Sequence, residues 1–297
     1  MLLVTGITGH TGRYFLQQLI DNRYNEKIRC VVRKSSNVDS LRNSGLNLEL
    51  AIGNLNDQYF IDQVMKDVKT VLHIYNIHNS IDILQASIAH NVERAILVHT
   101  TGIYSDFKSA SSEYKRIESE VIAMAKDKIS LTILRPSMIY GDMCDRNMSK
   151  FIKMIDSMRI VPVIAGGKCV IQPVNARDLG RAYYDVLTHP EITRNKQYDL
   201  TGDKPISMKD VLVTIGKDLT KDTIYISIPM QRSMCAAYLL KFLTFGKVDI
   251  VEKVLRMGED RAFSHDLAKQ DFNYTPMSFE EGIQNEIKQF KLYKQLK

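Results

Sequence analysis

MLLVTGITGHTGRYFLQQLI, the first 20 residues, carries three equally spaced glycines directly behind a short apolar run. The run 2–5 predicts a strand, and the apolar residues from 14 to 20 recur at helical spacing. Gly6, Gly9 and Gly12 therefore lie in the turn between them, where glycine permits a positive φ or the close approach of a ligand. Because the start of a helix attracts a pyrophosphate, this strand–turn–helix order predicts a dinucleotide-binding turn rather than a purely structural one.

The composition is that of an ordinary soluble globular protein. The chain has 297 residues, of which 44% are hydrophobic and 25% charged, enough for a large core or for one domain and a smaller lobe. The net charge of +6 suits an anionic cofactor or substrate. Basic residues do not form a block interleaved with aromatics, so we expect no nucleic-acid partner.

The four cysteines are scattered, and the histidines lack metal-ligand spacing. We therefore predict no metal site and reduced thiols in a cytoplasmic protein. No signal peptide fits before the first strand, and no apolar run approaches the roughly 20 residues that span a bilayer. The expected partner is a small molecule, without a membrane.

Strand-like apolar runs alternate with amphipathic segments through the first half of the chain. The amphipathic segments lie near 12–22, 57–67, 80–91 and 112–127. The apolar runs are LLVT (2–5), IRCVVR (28–33), LELAI (48–52), TVLHIY (70–75), AILVHT (95–100) and LTILRP (131–136). This alternation predicts an α/β fold with a doubly wound parallel sheet.

The alternation of strand-like and amphipathic segments changes after Gly141, which we take as a domain boundary. Residues 1–141 are predicted to bind the dinucleotide and residues 142–297 to form a substrate lobe, with 171–188 crossing back onto the first domain. In the lobe, VPVIAGG (161–167) and KCVIQPV (168–174) predict short strands around a glycine turn. Ser207 is a plausible N-cap of a following helix, with Asp210 three residues on.

Two later segments have alternative interpretations. SMCAAYLLKFLTF (233–245) is interpreted as a core or lid helix, with a membrane-facing role as the alternative. The tail KQFKLYKQLK (288–297) is interpreted as a solvated helix end, with contact to an acidic surface or membrane as the alternative.

Several motifs together resemble the extended or atypical short-chain dehydrogenase/reductase superfamily, in its epimerase/dehydratase and NmrA-like branch. They are TGITGHTG (5–12), GNLND (53–57), TVLHI (70–74), HTTGIY (99–104), LRPSMIYG (134–141), IQPVNARDL (171–179) and DLAKQDFNYTPMSFEEGI (266–283). The resemblance covers nearly the whole chain. It implies a Rossmann-type fold with a smaller, mostly helical C-terminal lobe and an NAD(P) cofactor.

The resemblance also implies roles for single residues. The turn would hold the pyrophosphate through Thr5, Gly6, Thr8, Gly9, His10, Thr11 and Gly12. Asn54 and Leu55 would meet the adenine, with Asn in place of the family's Asp. Pro136 and Ser137 would lie along the nicotinamide. Asp178 would tie the returning segment to the site, or serve as an acid at a helix N-terminus.

The end of the second strand bears on cofactor choice. An acid there binds the ribose hydroxyl of NAD, whereas arginine accommodates the 2′-phosphate of NADP. The sequence is VVRKSS, so Arg33 and Lys34, with Ser35 and Ser36, predict a phosphate pocket and a preference for NADP over NAD. A solvated loop is the alternative.

The catalytic pattern of the family is incomplete. Family reductases use a Ser or Thr after the fifth strand, here Thr101, and a Tyr-x-x-x-Lys pair on the next helix. Tyr104 and Lys108 match the pair literally but follow the strand too soon, so we regard this match as coincidental.

On the helix itself, two registers are possible. If Glu120 is the family's Glu, Arg116 replaces the Lys and Ser112 the Tyr. A shift by one residue puts Lys115 and Ser111 there, and Tyr114 fits neither register. Substitute proton donors are Tyr104, Tyr75 and His78, although Tyr75 and His78 are equally interpretable as loop residues closing over the cofactor.

From these features we expect an NAD(P)-dependent oxidoreductase, in particular an NADPH-dependent reductase of a keto-sugar nucleotide or similar carbonyl. The alternatives are a nucleotide-sugar epimerase or dehydratase and a non-catalytic, NmrA-like redox sensor. The resemblance also suggests a homodimer through the helices at 80–91 and 112–127.

Overall fold

The computed structural model describes residues 1–107 and 109–295. Its strands are β1 Leu2–Thr5, β2 Ile28–Val32, β3 Leu48–Ile52, β4 Thr70–His73, β5 Arg94–Val98, β6 Ser130–Pro136, β7 Ile139–Tyr140, β8 Ile160–Ile164, β9 Val170–Ile171, β10 Val174–Asn175, β11 Gln197–Leu200, β12 Ile206–Ser207 and β13 Ile224–Ile228. Its α-helices are α1 Gly12–Asp21, α2 Asp39–Arg42, α3 Gln58–Met65, α4 Ser80–Ala89, α5 Ser111–Ala125, α6 Met148–Ser157, α7 Ala176–Thr188, α8 Pro190–Thr193, α9 Met208–Asp218, α10 Met230–Leu243, α11 Val251–Arg256, α12 Asp266–Phe272 and α13 Phe279–Gln295.

A seven-stranded parallel sheet forms the centre of the molecule, in the order β3-β2-β1-β4-β5-β6-β11. The inner strands β1, β4 and β5 are apolar and almost wholly buried because helices cover both faces. One face packs against α1 and α7, and the other against α3, α4 and α5. The predicted α/β, Rossmann-type doubly wound fold is confirmed.

The chain returns to this sheet after Gly141. Helix α7 lies against α1 so closely that a Cβ on Gly180 would be 2.5 Å from the carbonyl carbon of Tyr14. Strand β11 then pairs in parallel with β6 and becomes the seventh strand. The second half of the chain thus adds a strand to the central sheet and a helix to the layer beside it, and the division at residue 141 stays a prediction.

The remaining elements form a lobe at the carboxyl edge of the sheet. Helices α6, α9 and α13 enclose its core. The Ser207 side chain accepts a hydrogen bond from the Asp210 amide at 3.1 Å, as the N-cap predicted for α9. The short strands predicted around the glycine turn are present as β8 and β9, but they do not pair with each other: β8 pairs with β13 and β9 with β12. The partners come from later in the sequence, which local patterning does not show.

Helices α10 and α11 form a hairpin beside this lobe. Ser233 and Ala237 are the buried residues of α10, so 233–245 does not form a core helix, and its interpretation as a lid helix stays a prediction. The tail helix α13 is docked rather than free, since Lys294 forms an ion pair with Asp156 at 2.7 Å. Within the described ranges, no helix combines the length and apolarity needed to cross a bilayer.

Candidate functional site

The glycine turn between β1 and α1 needs its glycines for two different reasons. Gly6 has φ +75°, and a Cβ there would be 2.8 Å from the backbone nitrogen of Tyr75. A Cβ on Gly12 would be only 2.1 Å from the Gly6 carbonyl oxygen. Gly9 is exposed, and a Cβ on it would meet only that same oxygen, at 3.0 Å. Gly6 and Gly12 therefore shape the turn, whereas Gly9 leaves the space outside it open.

Helix α1 begins at this turn without a side-chain cap and without an acidic residue in its first turn. Its N-terminus therefore presents amide groups and the positive end of the helix dipole, which favour a phosphate. Such a turn fits the pyrophosphate of a dinucleotide.

A cavity of about 160 Å³ continues from the turn along the ends of β2 and β3. Its lining consists of Gly6, Thr8, Gly9, Val31, Val32, Arg33, Ser36, Gly53, Asn54, Leu55 and Tyr75. The structure thus brings together most of the residues predicted to meet the pyrophosphate, the adenine and the 2′-phosphate. Ser36 joins them as the hydroxyl that faces the cavity.

Arg33 and Tyr75 form the outer rim of this cavity. The Arg33 guanidinium lies 5.9 Å from the centre of the Tyr75 ring, within the range of a cation–π interaction. The Arg33 amide donates to Ser36 Oγ at 3.2 Å, which fixes the hydroxyl beside the arginine. Lys34 is exposed and is absent from the described lining, so its predicted role in the phosphate pocket is not supported by its position.

Three other predicted cofactor contacts have different roles. The buried Thr5 hydroxyl is hydrogen-bonded to His73 Nδ1 at 2.8 Å across the β1–β4 pair. His10 does not reach toward a phosphate, since its Nε2 lies 3.1 Å from Asp142 Oδ1. Thr11 is buried directly before α1. The contacts of Thr5 and His10 connect the turn to β4 and to the segment after β7, and the three predicted cofactor contacts stay predictions.

A larger cavity, of about 330 Å³, opens at the carboxyl ends of β5 and β6. We call it the cleft. It contains three predicted residues, Thr101, Tyr104 and Ser137. The Thr101 hydroxyl donates weakly to the carbonyl oxygen of Pro136 at 3.4 Å, and Ser137 Oγ donates to the carbonyl of Gln172. Pro136 therefore supports Thr101 from beneath.

Tyr104 is held at the rim of the cleft by polar and aromatic contacts. Its hydroxyl lies 3.1 Å from Asp199 Oδ1, to which it donates, and its ring packs against Phe263 at 4.9 Å. Burial and the neighbouring Asp199 carboxylate raise the pKa of Tyr104 to about 12. The side chain thus stays protonated at neutral pH and can act as a hydrogen-bond donor. Lys108, its literal partner in Tyr-x-x-x-Lys, lies outside the described residues.

The predicted cations of α5 are not in the cleft. Lys115 and Arg116 are exposed, and Arg116 forms a surface ion pair with Glu120 at 2.7 Å. The inward face of the helix carries Glu118 instead. Both predicted registers are therefore wrong. The helix turns Glu118 inward because Arg135, on the neighbouring strand, lies opposite it.

If Glu118 is the inward Glu of the family pattern, the Lys position falls on Tyr114 and the Tyr position on Ala110. Tyr114 is half-buried, with its ring 5.6 Å from that of His78. His78, a predicted substitute donor, is itself 3.3 Å from Glu113 on the exposed side. Helix α5 thus offers neither member of the family's catalytic pair.

Glu118 belongs to a buried polar cluster directly behind Thr101. Its carboxylate accepts from Arg135 at 2.6 Å and is hydrogen-bonded to His99 Nδ1 at 2.8 Å. Burial alone would raise the pKa of Glu118, but the hydrogen bonds from His99 and Arg135 outweigh it and hold that pKa below its usual value. His99 also contacts Ser80 Oγ at 3.2 Å. The cluster fixes α5 and the end of β5, and with them Thr101.

Two arginines from the segment after α10 face the cleft, and the sequence analysis did not identify them. The Nε atoms of Arg256 and Arg261 are buried and lack hydrogen-bond partners among the described residues. Burial, and then the charge of Arg256, lower the pKa of Arg261. Glu259 Oε2 lies 3.9 Å from Arg256 Nε, too far for a hydrogen bond, so the Nε donors of both guanidiniums stay available to an anionic ligand. No sequence motif marked them, because they lie far from the glycine turn in a helical region.

Acidic residues of the same segment attach it to the rim of the cleft. Glu259 accepts from Ser105 Oγ at 2.8 Å and from the Asp106 amide at 2.9 Å. Asp260 accepts from the Val170 amide at 2.8 Å. These contacts carry Arg256 and Arg261 over Thr101 and Tyr104, and they complete the cleft.

Asp178 has a connecting role away from the cleft. In the first turn of α7, it accepts a hydrogen bond from the Met277 amide at 3.0 Å. Burial raises its pKa to about 6. The carboxylate thus links the returning helix to the segment that precedes α13.

Known proteins place this geometry in context. Residues 6–151 match the NAD(P)H-binding family. No curated protein sequence matches the chain significantly. Among solved structures, Gox2253 has a TM-score of 0.78 at 19% identity, with 99% of this chain and 98% of that chain covered.

Two further structures of similar fold are enzymes of nucleotide sugars. UDP-glucose 4-epimerase from Thermotoga maritima has a TM-score of 0.74 at 17% identity, with 100% and 99% of the two chains covered. The dTDP-glucose 4,6-dehydratase DesIV from Streptomyces venezuelae has a TM-score of 0.73 at 17% identity, with 100% and 98% covered. The resemblance to NAD(P)-binding proteins of the epimerase/dehydratase type is confirmed.

Proposed function

Because residues 6–151 match the NAD(P)H-binding family and the fold is similar to that of an epimerase and a dehydratase, we propose that the chain is an NADPH-dependent reductase of a keto-sugar nucleotide or a similar anionic carbonyl compound. The observation that carries this proposal is the cleft, whose lining combines Arg256 and Arg261, with buried Nε atoms that lack hydrogen-bond partners among the described residues, and the hydroxyl-bearing Thr101 and Tyr104. An anion site and hydroxyl donors in one cavity suit a carbonyl substrate with a phosphate tail.

The residues of the glycine turn fit the proposed cofactor. Gly9 leaves room for the pyrophosphate at the N-terminus of α1, and Asn54 and Leu55 would contact the adenine. Arg33 and Ser36 are suited to a 2′-phosphate, which supports a preference for NADP. When bound, the nicotinamide supplies the hydride for reduction of the carbonyl.

Thr101 and Tyr104 are proposed to orient the substrate carbonyl. The high pKa of Tyr104 keeps its hydroxyl protonated, so it can turn from Asp199 and donate to the carbonyl oxygen. Positioned proton transfer contributes roughly 10²–10⁴-fold to rate. Because α5 lacks the family's Tyr and Lys, we expect turnover to be slow unless Tyr104 supplies the proton.

Two other functions remain as alternatives. An epimerase or dehydratase is supported by the similar structures that act on nucleotide sugars. A redox sensor that binds NADP(H) without turnover is supported by the register based on Glu118, which puts Ala110 and Tyr114 at the positions of the catalytic pair.

The test is to mix the purified chain with NADPH and 4-keto sugar nucleotides and to follow the absorbance of the reduced cofactor. We expect oxidation of NADPH, a lower kcat in Tyr104→Phe and Thr101→Val, and a higher KM in Arg261→Ala. Lys115→Ala is the matched control and should leave both constants unchanged. Tight NADPH binding without oxidation by any of these substrates would favour the sensor instead.

A further inference from the structure

The tip of the α10–α11 hairpin exposes an unusual concentration of large apolar side chains. We define the hairpin tip as residues 238–248. Phe245 is 94% exposed, Phe242 78% and Leu243 64%. Tyr238, Leu239, Leu240 and Val248 are exposed in the same segment. Exposed apolar residues are common singly, but a contiguous group of this size marks an interaction surface.

The apolar side chains surround the end of α10 instead of forming one stripe. At about 100° per residue, the side chains from Tyr238 to Leu243 point to every side of the helix axis. The helix is attached to the body through Ser233 and Ala237, in its first half. A flat protein partner would cover one side of such an end, whereas the apolar layer of a bilayer would cover all sides.

The turn after α10 also projects away from the molecule. Gly246 has φ +78°, and no described heavy atom lies within 4 Å of the position of a Cβ on it. The neighbouring Phe245 is the most exposed large apolar residue of the segment. The tip can therefore enter an apolar layer without displacing other elements.

The charge of the hairpin suits an anionic surface. Residues 230–256 include two anions, Asp249 and Glu252, and five cations, Arg232, Lys241, Lys247, Lys253 and Arg256. Lys241 is paired with Asp249 at 2.6 Å, beside the exposed phenylalanines. Cations near an apolar tip attract anionic headgroups while the apolar side chains enter the boundary with the acyl chains.

We propose that the hairpin tip inserts into the interface of an anionic lipid bilayer and holds the protein there as a peripheral membrane protein. Helix α11 ends at Arg256, which lines the cleft, so docking would hold the cleft beside the bilayer surface. This proposal departs from the expectation of no membrane partner, and it does not depend on the proposed reaction.

The absence of tryptophan from the sequence gives a direct test. Phe245→Trp in the full chain introduces a single indole at the tip. With vesicles of phosphatidylcholine and phosphatidylglycerol, its emission should shift to the blue and be quenched by brominated acyl chains. The matched control is Tyr59→Trp, because Tyr59 is 74% exposed on α3, and its emission should not change.

Co-sedimentation with the same vesicles measures affinity. Phe242→Ser combined with Phe245→Ser should weaken binding about tenfold or more, because each removes a large apolar side chain from the contact. The melting temperature should not fall, since both side chains are exposed. Equal binding of this variant would overturn the proposal, as would equal binding to vesicles of phosphatidylcholine alone.

A second copy of the chain is the competing occupant of the tip. Sedimentation velocity without lipid distinguishes it from the bilayer. We expect the double Phe→Ser variant and the wild type to have the same oligomeric state. A dimer that dissociates in this variant, together with no binding to anionic vesicles, would assign the tip to self-association and overturn the proposal.

Discussion

At the scale of single residues, substitutions of Gly9 should change cofactor binding without changing the fold. Its exposed backbone accepts a Cβ with only a close contact to the Gly6 carbonyl, yet that Cβ would project where the pyrophosphate is proposed to lie. We predict that Gly9→Ala weakens NADPH binding about tenfold or more, and that Gly9→Val abolishes it, while the folded state persists. Titration calorimetry and thermal melting of the same samples measure the two effects.

Gly12→Ala is the contrasting variant. Its Cβ would overlap the Gly6 oxygen at 2.1 Å, so it should lower the melting temperature by deforming the turn itself. Unchanged cofactor affinity in folded Gly9→Ala would show that the turn does not hold the dinucleotide.

Arg33 is expected to distinguish the two cofactors. A charge-assisted hydrogen bond contributes about 1.5–3 kcal/mol, so Arg33→Ala should weaken NADPH binding about tenfold or more and leave NADH binding nearly unchanged. Lys34→Ala is the control, since Lys34 is exposed and does not line the described cavity. Equal losses for NADPH and NADH would show that Arg33 does not contact the 2′-phosphate.

The sequence predicts residues of this kind where their surroundings are local. Gly9 and Arg33 lie in a turn and at a strand end whose neighbours are close along the chain. The roles of Thr5 and His10 depend on His73 and Asp142, which the fold brings in from distant positions. A motif shows that a residue is near a site but not which way its side chain turns.

At the scale of elements, the orientation of α5 illustrates the same limit. Its amphipathic pattern predicted a helix at the correct place, but charged residues occur on both of its faces. Glu118 is buried because Arg135 and His99 neutralise and hydrogen-bond it there. That compensation comes from β6 and from the residue after β5, so a single helix sequence does not reveal which glutamate faces inward.

The contact between α1 and α7 gives a prediction at this scale. A Cβ on Gly180 would lie 2.5 Å from backbone atoms of α1, so Gly180→Ala should force the helices apart. Overpacking of this kind costs about 1–3 kcal/mol of unfolding free energy, measurable by urea denaturation. The matched control is Gly258→Ala, whose Cβ would meet only the flexible end of Met230 at such a short distance. Equal stability of the two variants would contradict the close helix contact.

At the scale of the whole molecule, the sequence predicted the parallel central sheet, but it did not predict that β11 completes this sheet by pairing with β6. Buried parallel strands such as β4 and β5 contain apolar runs, at 71–72 and 95–98, that stand out in the sequence. Strand β11 is short and carries polar residues, and its place beside β6 follows only from the return of the chain. The cleft has the same origin, since Arg256 reaches Thr101 through tertiary packing alone.

The contact between Glu286 of α13 and the Gly141 amide should make the free energy of unfolding depend on pH. Glu286 of α13 is fully buried and accepts a hydrogen bond from the Gly141 amide at 3.1 Å. Burial, and then the nearby Asp145 carboxylate, raise its pKa to about 10, whereas an unfolded glutamate titrates near pH 4.3. Between these values the folded state keeps a proton that the unfolded state has lost. The stabilisation that Glu286 gives to the folded state is therefore full at low pH and declines as pH rises.

We therefore predict that Glu286→Gln flattens the decline of unfolding free energy between about pH 6 and pH 9, by up to about 1.4 kcal/mol per pH unit. The amide stays neutral and keeps an oxygen for the Gly141 amide, so the variant should equal the wild type only below about pH 4 and exceed it by a margin that grows from pH 6 to pH 9. Urea denaturation across this range measures the slope. Glu281→Gln is the control, because Glu281 is exposed on the same helix and should keep the wild-type slope. Parallel pH profiles for Glu286→Gln and the wild type would mean that Glu286 is ionised in the folded protein, with a positive charge or water compensating it at the joint.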